Sequence, residues 1–187
     1  MIREATATLK SMSPYSQSAP IVTPKKSGES PAAHEERVWR ERMHVGENGH
    51  VVVSPMALKN MIAEAAKFTP RQGPGKGKST WTKNFEAGIL VVEPMQLPTL
   101  AKDVQAEHLF LPSDGRRGGG KRVWKLYPKI EAWTGKAQFV IADDHITEAI
   151  FETYLREAGS FIGLGRFRPR NNGFYGRFSV EKIEWKK

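Results

Sequence analysis

One late stretch of the sequence combines the residue types that bind phosphate groups. Between residues 161 and 180 it holds four arginines, four glycines and no acidic residue. Arginine guanidinium groups form paired hydrogen bonds with phosphates, and glycines let the backbone come close to a bound group. Apolar residues separate the glycines, as in Gly163-Leu164-Gly165, which a flexible linker does not need. The stretch is therefore predicted to be a folded loop that meets a negatively charged partner.

Two earlier stretches have the same basic, acid-free composition. Residues 71–83 hold four basic residues and residues 115–129 hold six, and with residues 166–177 they supply 14 of the 29 lysines and arginines. The chain has 20 acidic residues and a formal net charge of +9. In proteins that bind single-stranded nucleic acid, basic residues meet the phosphates and aromatic rings stack on the bases. The pattern favours a nucleic-acid interface over the alternative of three solvated loops.

The predicted nucleic-acid-binding residues are basic residues of these stretches, glycines that allow close approach and four aromatic residues for stacking. They are Lys76, Lys78, Trp81, Arg116, Arg117, Lys121, Arg122, Trp124, Gly163, Gly165, Arg166, Arg168, Arg170, Gly173, Phe174, Tyr175, Gly176 and Arg177. For the aromatic residues, burial in the core is the alternative.

Histidines and carboxylates define no catalytic or metal site. His44 and His50 flank a predicted turn, where an imidazole has a pKa suited to a general base. Asp143, Asp144 and His145 have the side chains of metal ligands, but the two aspartates also suit the N-terminus of a following helix. The sequence has no cysteine, so it offers neither a disulfide nor a thiolate metal site. No catalytic residue, metal ion or cofactor is predicted.

Two helices are predicted from apolar residues at helical spacing. The first covers residues 55–67, with Ser54 as its N-cap and Pro55 as its first residue. The second covers residues 147–158, with Gly159 as its C-cap.

Short strands are predicted before, between and after these helices. Their ranges are 2–10, 38–45, 50–53, 86–94, 107–112, 122–133, 136–143, 161–167 and 174–185. The residues expected on the inner face of the first strand are Ile2, Ala5, Ala7 and Leu9. The strands expected at 38–45 and 50–53 form a hairpin around the turn residues of GENG.

This order of elements predicts an α+β protein with a single domain over residues 1–187. Each half reads as strand, helix, strand, and two such units form a ferredoxin-like (RRM-like) split βαβ fold, an antiparallel sheet with two helices on one face. Long inserted loops are predicted at about 11–36, 69–84 and 112–122. The exposed face of such a sheet accepts single-stranded RNA in RNA-recognition domains.

Three segments give the chain a resemblance to a known family. GLGRFRPRNNGFYGRF, at 163–178, resembles the C-terminal glycine-rich loop of RAMP proteins, the RNA-binding superfamily of CRISPR effector complexes. VVVSPMALKNMIAEAAK, at 51–67, is similar to the strand, proline turn and helix start that many RAMP proteins have. LKSMSPYSQS, at 9–18, lies where those proteins begin their first long loop. The resemblance implies a ferredoxin-like RNA-binding protein, either within a CRISPR complex or as a stand-alone member from a phage or other mobile element.

The leading interpretation is non-catalytic binding of the backbone of single-stranded RNA or DNA through the Gly/Arg-rich loop and the basic loops. Because some RAMP proteins activate the ribose 2′-hydroxyl with a histidine near the first helix, a metal-independent endoribonuclease using His44 or His50 is one alternative. A protein-interaction subunit or inhibitor of a CRISPR-type complex is another. The partners expected of the chain are single-stranded RNA or DNA and, as alternatives, a second copy of the chain or other ribonucleoprotein subunits. No apolar run is long enough to cross a bilayer and no signal-peptide pattern is present, so a cytoplasmic protein without a membrane partner is expected.

Overall fold

The computed structural model describes residues 2–113, 118 and 120–186. The strands within these residues are β1 (Arg3–Ser11), β2 (His50–Val53), β3 (Ile89–Leu90), β4 (Met95–Leu100), β5 (Gln105–Pro112), β6 (Arg122–Lys129), β7 (Thr134–Ile141) and β8 (Phe178–Lys186). The helices are α1 (Pro31–Val38), α2 (Pro55–Phe68), α3 (Thr82–Gly88) and α4 (Glu148–Glu157). The predicted α+β class is confirmed.

Four strands form an antiparallel sheet in the order β3-β7-β1-β8. Side chains alternate along β1, so Ala5, Ala7 and Leu9 are fully buried on one face of the sheet. Phe139 of β7 and Trp185 of β8 lie opposite Ala5 on its two sides. The small side chains of the central strand leave room for these rings, and a close-packed core results.

Helices α2 and α4 bury their apolar sides in the same core. In α4, Phe151 packs against Phe139 and Trp185, with ring centroids 5.3 and 5.4 Å apart. The start of α2 is as predicted, because the Ser54 hydroxyl accepts a hydrogen bond from the Ala57 N–H at 3.3 Å and a proline follows the cap. The helices predicted near 55–67 and 147–158 are confirmed to within a residue.

The remaining strands form two small ladders outside this sheet. β2 pairs with β4, and β5 pairs with β6 as an antiparallel hairpin. Met95 of β4 presses on Gly135 of β7, where an added Cβ would lie 2.8 Å from the methionine sulfur. This contact fixes the β2–β4 ladder against the main sheet. No helix of the described residues has the length and apolar character needed to span a membrane.

The prediction of a strand over 38–45 is wrong except at its end, where Val45 forms a single antiparallel bridge with Val51. Ser30 caps α1, which continues into a tight 3₁₀ turn over Trp39–Arg42. Val38, Trp39 and Met43 are buried together on one side of this helical run. These few apolar positions fit both a short strand and a helix, and the Ser-Pro start at residue 30 decides between them. The segment predicted as a loop over 11–36 therefore contains most of α1.

Four other predictions are corrected by the structure. Residues 82–88 form α3, so the strand predicted over 86–94 shrinks to the two residues of β3. The strand predicted over 161–167 is absent from the described residues, because the helical run continues as one wide turn over Ala158–Ile162. Gly159 is not a cap: it is buried where a side chain would overlap the Phe178 carbonyl oxygen. Ile2 precedes β1 and is 64% exposed rather than on the inner face.

Candidate nucleic-acid interface

The glycine-rich loop, residues 163–177, follows α4 and is folded tightly on itself. A Cβ at Gly173 would overlap the backbone of Phe167, and one at Gly176 would overlap the carbonyl oxygen of Leu164. Gly163 and Gly165 have φ values of +72° and +73°, a left-handed conformation that favours glycine. The glycines thus allow the loop's backbone to approach other parts of the same chain, a use that the sequence pattern did not distinguish from the approach of a phosphate.

The same loop is hydrogen-bonded to the segment that follows β1. The Gly176 N–H donates to the Pro14 carbonyl at 2.7 Å, and the Arg166 N–H donates to the Ser16 carbonyl at 2.8 Å. The Arg177 N–H donates to the Ser13 hydroxyl at 2.9 Å. These bonds hold the loop in one shape, so the side chains that it carries have fixed positions.

Arg166 is the most unusual of these side chains. Its guanidinium carbon lies 3.2 Å from the ring centre of Tyr127 and 3.7 Å from that of Phe167. Its Nη1 atom is buried without a hydrogen-bond partner, and no carboxylate of the described residues forms an ion pair with it. Burial lowers the pKa of this guanidinium, although an arginine stays protonated at neutral pH. Phe167 itself has φ +53°, which is strained for an aromatic residue.

Among the described residues, the charged side chains around Arg166 form no ion pair with it. Arg42 lies over the same Tyr127 ring at 4.4 Å, but it is paired with Glu35 at 2.7 Å. Glu107 accepts hydrogen bonds from the Tyr175 hydroxyl at 2.6 and 2.7 Å. Glu107 attracts the Arg166 guanidinium from a distance but does not form an ion pair with it, and a buried charge without a direct partner is energetically costly.

A cavity of about 270 Å³, here called the Arg166 pocket, opens beside this side chain. Its lining includes Gly165 and Arg166 from the glycine-rich loop, His44, and Ser54 and Ala57 from the start of α2. The positive end of the α2 dipole and the guanidinium both favour an anion in this cavity.

Gln17 holds the wall of the Arg166 pocket in place. Its side-chain amide donates to the Tyr15 hydroxyl and to the Val52 carbonyl, both at 2.8 Å. Its side-chain oxygen accepts the His44 N–H at 2.8 Å. Burial raises the pKa of Tyr15 to about 12, so this hydroxyl remains neutral at physiological pH. The side-chain amide of Gln17, which positions His44, thus has its hydrogen-bond partners within the protein.

Arg168 and Arg170 turn towards α2 and share one carboxylate. Arg168 Nη1 lies 2.8 Å and Arg170 Nε 3.1 Å from the two oxygens of Glu64. They line a groove of about 740 Å³, here called the α2 groove, with Lys59 and Lys67 of the same helix. The groove has more cations than carboxylates, yet its two arginines already have an acidic partner.

The other predicted residues of this loop differ in exposure. Phe174 is 62% exposed and Arg177 is also exposed. Tyr175 is held by its hydrogen bond to Glu107, and burial, followed by that bond, raises the pKa of its hydroxyl. Phe174 therefore has a ring available for stacking, whereas Tyr175 mainly joins the loop to the β5–β6 hairpin.

The two other basic stretches occupy different parts of the surface. Lys76 and Lys78 are exposed on a loop whose base is held by the Arg71–Glu157 ion pair. Trp81 was predicted to stack on a base, but its side chain is buried. It packs edge-on against Phe85 at 6.5 Å, so its ring is not available to a base.

The predicted residues of the β5–β6 hairpin lie towards its turn. Lys121, Arg122 and Trp124 are exposed there. Arg116 and Arg117 lie outside the described residues.

Two other predicted features have structural partners. His50 Nδ1 lies 3.0 Å from the Leu97 carbonyl oxygen, so this imidazole is engaged by the β2–β4 ladder. Asp143 binds Asn84 and His145 at 2.6 and 2.9 Å, and the N-cap of α4 is Thr147 rather than an aspartate. Within the described residues, no group of three or more histidine and acidic side chains could hold a metal ion.

The open face of the main sheet is polar. Side chains on the outward face of its two central strands include Thr6, Thr8, Lys10, Lys136 and Gln138. Among the described residues of these strands, no aromatic side chain points outward, so stacking of the kind used by RNA-recognition domains has no ring here.

Comparison with known proteins finds no family model and no curated protein that matches the chain.

The sequence identified basic and aromatic residues of the candidate site, but it did not identify the residues that they contact. It selected Arg166 but not the Tyr127 ring or the α2 terminus beside it, and it did not find Glu64. The sequence does not fix which residues of distant loops and strands meet. Phe110 and Trp124 lie opposite each other in the β5–β6 hairpin. Their pairing could be predicted from the sequence only if the register of the two strands were known.

Proposed function

We propose that this protein binds the backbone of single-stranded RNA or DNA without cleaving it, and that a phosphate group occupies the Arg166 pocket. The observation that carries the proposal is the Arg166 guanidinium, which is partly buried, has no acidic partner among the described residues and lines a cavity at the start of α2. A phosphate supplies the missing acceptors and the missing negative charge. The acid-free basic stretches extend the positive surface on which such a strand lies.

The proposed fold is a ferredoxin-like split βαβ, and the proposed family is the RAMP superfamily. The order β1, α2, β3, β7, α4, β8, with a sheet order of β3-β7-β1-β8, supports this topology. The glycine-rich loop between α4 and β8 has the position expected from the resemblance. The remaining elements are insertions between these six.

A second candidate function is metal-independent RNA cleavage, favoured by one observation. His44 is exposed and lines the Arg166 pocket, whereas His50 is engaged by a backbone carbonyl. A general base beside a bound phosphate is the arrangement that cleavage at a ribose 2′-hydroxyl needs. Incubation of a labelled RNA with the protein in EDTA separates the two functions, because only the nuclease yields fragments that disappear in a His44→Ala variant.

The binding proposal is tested by fluorescence anisotropy with a labelled single strand of mixed sequence. We expect binding at about 50 mM salt that weakens steeply by about 200 mM, because counterions are released from the strand. Arg166→Met keeps most of the packing on Tyr127 and Phe167 but removes the charge, and it should lower the salt slope by about one. Arg156→Ala is the matched control, since Arg156 lies on α4 in an exposed pair with Glu152.

Two results contradict this proposal. One is the absence of binding at about 50 mM salt, where phosphate contacts are strong. The other is an Arg166→Met variant with an unchanged melting temperature and unchanged affinity. Either result favours the interpretation of the chain as a subunit or inhibitor that acts through protein contacts.

A further inference from the structure

The β5–β6 hairpin exposes a pair of aromatic rings. Phe110 and Trp124 lie directly opposite each other on the two strands, with ring centroids 5.1 Å apart and planes inclined by 42°. They are 47% and 61% exposed, whereas Trp39 and Trp133 are buried. Large adjacent rings left in water indicate a surface that another group covers.

These rings form one wall of a groove of about 480 Å³ between the hairpin and the start of α1, here called the hairpin groove. Pro31 and Ala32 of α1 form part of the opposite wall, so its sides are largely apolar. Three cationic residues, Lys25, Arg122 and Lys125, also contribute to its lining.

The carboxylate among the described residues that line this groove is already ion-paired. Glu35 lines the groove, but it is bound to Arg42 at 2.7 Å and also accepts the Leu126 N–H at 3.0 Å. Among the described lining residues, no unpaired carboxylate therefore opposes the three cations. A flat apolar wall beside several cations matches a nucleotide, whose base is aromatic and whose phosphate is anionic.

We propose that the hairpin groove holds an unpaired base of a single-stranded nucleic acid, stacked on Phe110 and Trp124, with the neighbouring phosphates against Lys25, Arg122 and Lys125. The inference rests on the proposed function and adds what that function lacks, a reason to prefer single strands. Bases in a duplex are paired and stacked inside the helix, so they do not reach such a groove. Phosphate contacts alone do not make this distinction.

The test compares two labelled strands of equal length, oligothymidylate and the same backbone made of abasic sites. Both present the same phosphates, so their difference measures the contribution of the bases. We expect the wild-type protein to bind oligothymidylate roughly fivefold or more tightly than the abasic strand, in the range for stacking one base on an aromatic side chain. Phe110→Ala with Trp124→Ala should remove most of this preference and keep the affinity for the abasic strand.

Two further variants make the comparison specific. Trp124→Phe retains a ring and should keep part of the preference. Phe161→Ala removes another exposed aromatic ring, one that packs on Phe68 away from the groove, and should leave the preference unchanged. Trp124 is far more exposed than Trp39 and Trp133, so a base stacked on it should quench part of the protein's tryptophan fluorescence. Trp124→Phe lacks this part of the fluorescence and should not show the quenching.

The outcomes separate this inference from the function on which it rests. Equal affinity of the wild-type protein for both strands overturns the base site and leaves backbone binding intact. Binding to neither strand overturns both. A double variant that loses affinity for both strands by the same factor also overturns the base site. The same conclusion follows if a proline-rich peptide quenches the fluorescence of Trp124 and oligothymidylate does not displace that peptide.

Discussion

Neighbouring arginines of the glycine-rich loop have very different surroundings. Arg168 and Arg170 share the carboxylate of Glu64, whereas Arg166 lies against two rings without an acidic partner among the described residues. An arginine that already has a carboxylate must exchange it for a phosphate, and the net gain from such an exchange is small. Residue type alone therefore overstates how much Arg168 and Arg170 would contribute to the proposed binding.

Replacement of Glu64 should make this competition visible. In Glu64→Gln, the guanidinium groups of Arg168 and Arg170 lose their ionic partner, so they are available to a phosphate. We expect affinity for a single strand to rise about two- to fivefold, as for the loss of one partly exposed ion pair. The measurement is anisotropy at low salt.

Glu86→Gln is the control for this effect. Glu86 lines the same α2 groove, and its replacement changes the net charge equally, but it does not hold either arginine. If both variants raise the affinity by the same factor, the overall charge is responsible and release of the arginines is not.

At the scale of elements, the glycine-rich loop is a compact structure that depends on the absence of side chains. Its backbone passes so close to itself at Gly173 and Gly176 that a methyl group does not fit at either position. Its outer hydrogen bonds go to the segment after β1. Substitution of these glycines is therefore expected to affect folding first and binding second.

Gly173→Ala should lower the free energy of unfolding by about 3 kcal/mol or more, in the range of severe steric substitutions. Gly77→Ala is the control, because Gly77 also lies in a loop, has φ +74° and has open space where the methyl group would lie. That variant should cost about 1–2 kcal/mol, the strain of a left-handed alanine. Chemical denaturation measures both; similar small losses would show that the loop tolerates a side chain at Gly173.

The elements predicted well from the sequence are those with complete local signals. Helix α2 has a capping serine, a proline at its first position and apolar residues at helical spacing, all within a few residues. The run over 161–167 has apolar residues but no such signals, and its shape depends on Phe178 and on the segment after β1. Where long-range contacts decide the backbone, periodicity within a short window is not informative.

The candidate site follows the same rule. The basic and aromatic residues were visible in the sequence, but burial of Trp81 against Phe85 and the pairing of Arg168 with Glu64 required the fold. The α2 terminus, Tyr127 and Arg166 come from three separate parts of the chain. Their meeting is a property of the tertiary structure alone.

At the scale of the whole molecule, helices α2 and α4 share one core, and their C-terminal ends are joined by a polar contact. Glu157, at the end of α4, accepts a hydrogen bond from Thr69, which follows α2, at 2.5 Å. It also binds Arg71, with Nη1 2.7 Å from its Oε2 atom. The hydrogen bond from Arg71 is the main cause that lowers the pKa of the Glu157 carboxyl below its usual value.

This contact should make stability depend on pH in a defined direction. Because the folded pKa of Glu157 is lowered, its contribution is present above the unfolded pKa and is lost as the pH falls through the folded value. Glu157→Gln should cost about 1 kcal/mol at pH 7, as for a partly exposed pair. The difference from the wild-type protein should shrink below about pH 4. Urea denaturation at pH 7 and pH 3 checks this, and an equal difference at both values would contradict it.

The bond between Ser13 and Arg177 spans 164 positions of the chain. During translation at about 5–20 residues per second, roughly ten to thirty seconds therefore separate the synthesis of these two residues. Before then, the segment after β1 has no glycine-rich loop to hold, and Arg166 has not reached Tyr127. A nascent chain that has not yet reached Arg177 therefore lacks the complete Arg166 pocket, although β1, α2 and Tyr127 have already been synthesised.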